Sequence, residues 1–221
     1  MYRQHRFVDG RSFAAAPGKI VCVGRNYAAH AKELNNPIPE QPILFIKPAS
    51  ALADLAQPLQ IPADRGECHH ELELALLIGA ELSQAKPADC LNAVAGYGLA
   101  LDLTLRELQA ELKAKGHPWE RAKAFDGACP LSAFIPATEV DDWRQLHLQL
   151  QRNGQLQQSG QCADMLFPIE QLLSEISQSF RLQAGDVVLT GTPAGVGPLQ
   201  RGDTLHCELP GRLEVTTRVA D

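Results

Sequence analysis

The order of apolar and polar positions predicts many short strands and few helices. Continuous apolar runs of four to eight residues are typical of strands buried on both faces. Predominantly apolar segments of this kind lie at residues 19–24, 42–48, 72–79 and 185–191, and a longer one lies at residues 94–104. Strict alternation over residues 146–158, interrupted by Asn-Gly, predicts a β-hairpin. Residues 202–209 and 213–219 add two further short strands.

Helical periodicity is confined to a few segments. Residues 27–34 predict a short helix with Asn26 as its N-cap, and residues 168–180 predict an amphipathic helix. Residues 104–116 predict a third helix, in which Thr104 and Glu107 have the spacing of a capping box. A short polar helix is expected near residues 87–91. Strands and helices in this irregular order favour an α+β fold with a mixed sheet over a regular βαβ array.

The chain divides into a short N-terminal piece and one large domain. Residues 5–13 contain an Asp-Gly turn between short extended runs, which predicts a hairpin. We therefore expect residues 1–18 to form an N-terminal extension and residues 19–221 a single domain. No repeat or linker suggests a further division.

Composition narrows the class of protein. The 221 residues are 45% hydrophobic and 21% charged, which is ordinary for a globular protein. The net charge of -6 argues against nucleic-acid and anionic-membrane partners, which require a basic face. The first residues lack the apolar segment of a signal peptide, so a cytoplasmic protein is expected. The six cysteines are scattered without a C-x-x-C pair, which favours reduced thiols over disulfides.

Two glutamates stand at the entrance to a buried strand. In the stretch CHHELELALLIGAEL, Glu71 and Glu73 share one face of an extended chain. Neighbouring buried carboxylates stay ionised only beside cations, and a strand edge or paired arginines would be an alternative to a metal. Asp102 ends a second apolar strand. Three carboxylates form a hard-oxygen site that suits Mg²⁺ or Mn²⁺ with a chelating substrate.

His69 allows a different kind of metal site. With Glu71 and a distant histidine it would imitate the two-histidine, one-carboxylate site of non-haem iron oxygenases. That arrangement leaves Glu73 and Asp102 without a role, so we favour the all-carboxylate site.

His30 and Glu33 form a second candidate group. They are three residues apart on the predicted helix 27–34, so the carboxylate can orient the imidazole as a general base. An exposed helical pair of no functional consequence is the alternative. Glycine and proline on either side suggest a helix that can act as a lid.

Polar and positive groups form the third candidate set. Arg106 and Gln109 begin the helix that follows Asp102, so they can point toward the same carboxylates. Lys47 and Lys123 are lone cations in apolar surroundings, where a lysine either serves an anion or extends to the surface. Residues 189–197 form a glycine-rich loop that offers backbone N–H groups and the Thr192 hydroxyl to an anion, without the ending of a P-loop.

Taken together, these segments resemble the fumarylacetoacetate hydrolase family, most closely its compact acylpyruvate hydrolase branch. The resemblance runs from about residue 19 to the end of the chain. Six ordered segments carry it: VGRNYAAHAKEL, PILFIKP, HHELELALLIG, AGYGLALDLTLRELQ, WERAKAFDGACPLSAF and GDVVLTGTPAGVG. The extra N-terminal domain of larger members is absent from the sequence, which speaks against long substrates.

The resemblance implies the family's mixed β-roll with peripheral helices, usually in a homodimer. It implies Mg²⁺ or Mn²⁺ at Glu71, Glu73 and Asp102, and a water-activating pair at His30 and Glu33 on a mobile lid. It makes Lys123 the active-site lysine. It places substrate contacts at Arg25, Arg106, Gln109 and Thr192, to which the lone cation Lys47 is added.

The chemistry expected of this set is cleavage of a carbon–carbon bond in acylpyruvates. A 2,4-diketo acid would chelate the metal, His30 would activate water, and a metal-bound pyruvate enolate would leave with a carboxylic acid. Lys123 would stabilise the developing oxyanion. Decarboxylation or keto-enol tautomerisation of oxaloacetate requires the same enolate and is the alternative, as is isomerisation or decarboxylation of hydroxymuconate-type compounds. A non-catalytic dicarboxylate-binding protein is a further alternative.

Overall fold

Strands dominate the computed structural model, which describes residues 2–221. Short 3₁₀ turns connect several of them. The strands are β1 (Ile20–Gly24), β2 (Ile43–Lys47), β3 (Leu52–Asp54), β4 (Cys68–His70), β5 (Leu72–Ile78), β6 (Val94–Leu101), β7 (Thr104–Leu105), β8 (Cys129–Pro136), β9 (His147–Arg152), β10 (Gln155–Gln161), β11 (Val187–Leu189), β12 (Gly197–Pro198), β13 (Thr204–Leu209) and β14 (Leu213–Arg218). The helices are α1 (Ala28–Glu33), α2 (Pro87–Cys90), α3 (Arg106–Ala114), α4 (Glu120–Lys123) and α5 (Ile169–Ser179).

The central element is a mixed seven-stranded sheet. Its order is β2-β1-β11-β5-β6-β8-β3, in which β1 with β11 and β3 with β8 are parallel and the other neighbours are antiparallel. A four-stranded antiparallel sheet, β10-β9-β13-β14, and a three-stranded one, β12-β4-β7, complete the strands. This is the expected α+β architecture: a curled mixed sheet with few, peripheral helices.

Apolar side chains cover both faces of the central sheet. Leu72, Leu74 and Leu76 of β5 enter the larger core, where helix α5 and strands β9 and β13 also contribute residues. Ala75 and Leu77, on the opposite face, join a smaller core. Burial on both faces explains why the β5 sequence is continuously apolar rather than alternating.

The structure corrects three local predictions. The run from residue 68 to 78 is two strands in two sheets, separated at Glu71. Asn26 does not cap α1, whose N-cap residue is Tyr27. Thr104 lies in strand β7 opposite His69, so α3 begins at Arg106 and lacks the expected capping box. In each case a contact with a segment distant in sequence replaces the local one.

Residues 5–13 form a tight turn against the smaller core. Arg6 and Ser12 bridge each other, and Phe7 bridges Phe134 of β8 in parallel. The His5 ring hydrogen-bonds the Gly185 carbonyl at 2.9 Å. Throughout residues 2–221, the structure contains no helix with the length and apolar character required to cross a membrane.

Candidate active site

The strand register brings the three carboxylates together. Leu72 pairs with Leu101 and Glu73 with Ala100, so Glu71 stands opposite Asp102 just beyond the paired stretch. The Asp102 backbone N–H donates to the Glu71 carbonyl at 2.8 Å. One oxygen from each of Glu71, Glu73 and Asp102 lies within 4.8 Å of the others. All three side chains are buried.

Three cations surround this cluster. Lys123 Nζ donates to Glu71 Oε2 at 2.9 Å and to Asp102 Oδ2 at 2.6 Å. Lys47 Nζ lies 2.8 Å from Asp102 Oδ1, and Arg106 donates from a terminal guanidinium nitrogen to Glu71. The ring of Phe45 lies 5.2 Å from Lys123 Nζ, in cation–π contact. The cluster is therefore a network of three carboxyl groups and three cationic side chains.

The network sets the ionisation of its members unequally. Burial, followed by the charges of Asp102 and Glu71, raises the pKa of Glu73 well above its usual range. Burial opposes ionisation of Glu71 too, but Lys123 and Arg106 hold its pKa well below the usual value. Burial would lower the pKa of Lys123, but the Asp102 and Glu71 carboxylates raise it above the usual value. Among residues 2–221, Glu73 is thus the carboxylate of the three that has no cationic side chain within 4 Å.

The donor set fits a hard divalent cation. Carboxylate oxygens are the ligands that Mg²⁺ and Mn²⁺ prefer, and three of them can converge here without a histidine or cysteine. Burial and the charges of Asp102 and Glu71 raise the pKa of Glu73, so a cation bound beside this carboxylate would favour its ionised form. His69 contacts Glu67 at 3.2 Å rather than joining the three carboxylates.

The second predicted group forms on helix α1. His30 Nδ1 lies 3.2 Å from Glu33 Oε2, and His30 is buried at one wall of a cavity. Glu33 is also held from outside its helix, because the Gly195 N–H donates to Glu33 Oε1 at 2.9 Å. The imidazole is therefore oriented by a carboxylate that is itself fixed by a second segment.

The loop after β11 connects both groups. The Gly191 N–H donates to Glu73 Oε2 at 2.6 Å, four residues before Gly195 contacts Glu33. Gly191 and Gly195 have φ values of +95° and +100°, which favour glycine. Asn26 is buried beside this loop, where its Nδ2 donates to the Thr190 carbonyl at 2.8 Å. The glycines predicted to offer N–H groups to an anion offer them here to protein carboxylates.

Gln158 is a supporting residue that the sequence did not reveal. It is fully buried, and its Nε2 donates to Thr192 Oγ1 at 2.7 Å while its Oε1 accepts from the Leu72 N–H at 2.9 Å. The His70 ring lies 3.0 Å from the same Oε1. A register shift in β10 turns Gln158 inward, and strict alternation cannot predict such a bulge.

The carboxylates open into a cavity of about 180 Å³. That volume equals roughly six waters at about 30 Å³ each, which suits a small ligand. The predicted residues that line the cavity are Arg25, His30, Glu71, Glu73, Asp102, Arg106, Gln109, Lys123 and Thr192. Trp119 and Lys113 line it as well, and neither was predicted.

Three predicted substrate contacts have partners within the protein. Lys47 is fully buried behind Asp102 and also donates to the Ala128 carbonyl at 3.1 Å. Gln109 Oε1 accepts from Arg106 at 2.8 Å, which orients the guanidinium toward the carboxylates. The Thr192 hydroxyl donates to the Leu72 carbonyl at 2.8 Å. These bonds position the groups that surround the cavity.

Comparison with known proteins covers the part of the chain that carries these residues. A model of the fumarylacetoacetate (FAA) hydrolase C-terminal family matches residues 19–220. The chain is 54% identical to oxaloacetate tautomerase YcgM of Escherichia coli K12, covering 99% of this chain and all of that protein. It is 42% identical to human mitochondrial oxaloacetate tautomerase FAHD1, with 90% of each covered. The structure of fumarylpyruvate hydrolase from Pseudomonas aeruginosa in complex with Mn²⁺ and pyruvate matches with a TM-score of 0.93 and 33% identity, covering 99% of this chain and 95% of that one.

Proposed function

This chain belongs to the fumarylacetoacetate hydrolase family, and from that premise we propose that it interconverts the keto and enol forms of oxaloacetate with a divalent metal ion. The sequence left tautomerisation of oxaloacetate open as an alternative, and we now prefer it to acylpyruvate hydrolysis, the activity that the sequence predicted. Relatives named oxaloacetate tautomerases are more similar in sequence than the fumarylpyruvate hydrolase.

One observation carries the proposal: three buried carboxylates meet a ring of cations at the floor of a small cavity. A 2-keto acid presents a carboxylate and an adjacent keto oxygen, which together chelate a hard cation. When bound, Mg²⁺ or Mn²⁺ supplies Lewis-acid polarisation of that keto oxygen. Glu71, Glu73 and Asp102 would hold the ion, and we propose Mg²⁺ as the usual one.

The chain's own side chains supply the proton transfer. We assign His30 as the base that removes a proton from C3 of oxaloacetate, so that the C–H electron pair becomes the C2–C3 double bond. The carbonyl π electrons move onto the C2 oxygen, where the Lys123 ammonium stabilises the negative charge. The imidazolium of His30, stabilised by Glu33 at 3.2 Å, then returns the proton to that oxygen. No water molecule is consumed.

The test starts from the enol form of oxaloacetate, whose ultraviolet absorbance falls as the keto form appears. Mn²⁺-loaded enzyme is expected to accelerate this decay in proportion to its concentration, and His30→Gln is expected to abolish most of the acceleration. The exposed His117→Gln variant is a matched control that should retain the full rate. An acceleration no greater than that of free Mn²⁺ would contradict the proposal.

Acylpyruvate hydrolysis is the second candidate, and the His30–Glu33 pair favours it because a pair that can remove a carbon-bound proton can also activate water. Acetylpyruvate supplied to the same enzyme would then yield pyruvate and acetate in equal amounts. Carbon dioxide release from oxaloacetate identifies the decarboxylase alternative. Binding without any of these products would identify a non-catalytic dicarboxylate-binding protein.

A further inference from the structure

Helix α3 presents a continuous stripe of side chains to the cavity. Arg106, Gln109, Ala110 and Lys113 all line it, at the spacing that places residues on one helical face. Arg106 lies at the inner end beside Glu71, whereas Lys113 lies seven residues, or about 10 Å, further along the helix axis. The stripe thus carries a cation at each end, one at the floor and one at the mouth of the cavity.

The cations at the floor of the cavity are paired with carboxylates, whereas those at its mouth are not. Lys47, Lys123 and Arg106 each lie within 4 Å of Glu71 or Asp102. Arg25 and Lys113, here called the mouth cations, have no carboxylate within 4 Å anywhere in residues 2–221. A divalent ion held by the carboxylates would add further positive charge to the same cavity. A ligand with more than one negative charge would offset this excess of positive charge.

The Lys113 ammonium has N–H donors beyond the one that it uses within the protein. Its Nζ donates to Asn36 Oδ1 at 2.7 Å, and an ammonium group has three N–H donors. The acceptor is a neutral amide oxygen, a weaker partner than a carboxylate. Asn36 lies just after helix α1, which carries His30, so this bond links the mouth of the cavity to the segment that holds the proposed base.

The positive groups around Lys113 repel it. Burial and the nearby charges of Arg25 and Arg106 lower the pKa of Lys113, which places the three cations within electrostatic range of one another. Side chains on a helix lean toward its N-terminus, so the lysine stem extends from Lys113 back toward Arg106 and the cavity floor. An anionic group entering between the mouth cations would relieve this repulsion.

We propose that Lys113 is a specificity-determining residue that binds the distal carboxylate of a short dicarboxylate 2-keto acid, whose chelating end lies at Glu71, Glu73 and Asp102. The inference rests on the proposed function and deepens it, because it names what separates a four-carbon dicarboxylate from 2-keto acids that end in a methyl group. Arg25 shares the charge of the mouth, and Asn36 holds the ammonium in place until the ligand arrives.

The test compares one ligand that has a distal carboxylate with one that has a methyl group in its place, and each ligand is compared across the same set of protein variants. The first is 3,3-difluorooxaloacetate, a dicarboxylate that cannot enolise because it has no C3 hydrogen, and the second is 2-oxobutanoate, which ends in a methyl group. Both are titrated into the Mn²⁺-loaded protein and followed by the fluorescence of Trp119, which lines the cavity. This readout needs no turnover, so failure of the proposed reaction and failure of this inference remain distinguishable.

Removing the charge should affect one ligand and not the other. Lys113→Met is expected to weaken binding of difluorooxaloacetate about tenfold or more, as expected for the loss of a hydrogen bond to a charged group, and that of 2-oxobutanoate less than twofold. Lys113→Arg is expected to restore most of the preference. Lys115→Met, at the C-cap of the same helix and paired with Glu111, is the matched control and should bind both ligands normally.

Two outcomes would overturn the inference. Equal weakening of both ligands by Lys113→Met would mean that the lysine only holds the Asn36 segment. Unchanged binding of difluorooxaloacetate would mean that the distal carboxylate is bound elsewhere. Thermal unfolding of each variant is measured alongside; because Lys113 is a surface residue of a helix, the variants are expected to unfold as the parent protein does.

Discussion

The floor and the mouth of the cavity are built in different ways. At the floor, Glu71 and Asp102 are fixed by the register of β5 with β6, and their charges are paired with buried cations. At the wall and mouth, here taken together as the mouth, His30 lies on a helix of six residues, and the Lys113 ammonium donates to the amide oxygen of Asn36. The floor is a network of paired charges, whereas the mouth depends on single hydrogen bonds from helices α1 and α3 to neighbouring segments. We therefore expect changes at the floor to affect stability and metal binding, and changes at the mouth to affect rate and selectivity.

The largest expected effect is at the floor. Asp102→Asn removes the carboxylate shared by Lys47 and Lys123, so the free energy of unfolding should fall by about 3–5 kcal/mol, the usual cost of breaking a buried ion pair. Mn²⁺ binding, measured by calorimetry, should be lost as well. Glu120→Gln, at an exposed position, serves as the control and should change neither property. A stable Asp102→Asn protein with normal Mn²⁺ affinity would show that the floor does not act as one network.

The corresponding change at the mouth should separate rate from stability. His30→Gln is expected to lower the rate of oxaloacetate tautomerisation about 10²- to 10⁴-fold, the usual contribution of a general base. Mn²⁺ affinity should remain within about threefold of the parent value, because His30 is not among the three grouped carboxylates. If His30→Gln instead weakened Mn²⁺ binding strongly, the division into floor and mouth would be wrong.

Gln158 tests how the floor and the mouth are connected, because it contacts Thr192 in the loop after β11, which bonds to both regions. Gln158→Leu leaves the Leu72 N–H without its partner in the core, so we expect a loss of about 1–3 kcal/mol in the free energy of unfolding. Catalysis should fall as well, since Thr192 loses its donor. Gln155→Leu on the same strand is exposed and should leave both quantities unchanged. An unaltered denaturation midpoint for Gln158→Leu would remove this residue from the support of the site.

The smallest expected effect concerns pH. Because the pKa of Glu73 is raised, the metal-free native protein holds a proton that the unfolded chain releases at lower pH, and its free energy of unfolding should decline as pH rises through that interval. Metal binding requires the ionised carboxylate and should release about one proton. Mn²⁺ affinity should then increase up to about tenfold per pH unit below the raised pKa.

Calorimetry in two buffers with different ionisation enthalpies would measure that proton release directly. Glu73→Gln, which cannot ionise, should release none at this position. A number of released protons that is near zero in the parent protein would contradict the assignment of Glu73 as a ligand.

The three carboxylates of the floor could be predicted from sequence for a physical reason. Strand periodicity alone placed Glu71 and Glu73 on one face, and the end of an apolar run marked Asp102. These features depend on local pattern, so the prediction of three converging carboxylates agrees with the structure.

The residues that the sequence did not reveal depend on distant contacts. Asn26 has the composition of an N-cap, yet its amide bonds Thr190 from a segment 164 residues away. Thr104 has capping-box spacing, yet it pairs with His69 in a strand. Gln158 faces inward only because β10 contains a bulge. A side chain whose partner lies far along the chain leaves no periodic signal in its own neighbourhood.

The position of Lys123 has a consequence for the order of events in biosynthesis. Its ammonium group lies between Glu71 and Asp102 and offsets part of their negative charge with a group encoded in the same chain. This pairing does not require a divalent ion, so a newly made polypeptide can complete the sheet without one, and the ion proposed above would bind afterwards from the cavity side. Metal supply would then control how many molecules are active, whereas the number of molecules that fold would be set by the polypeptide itself.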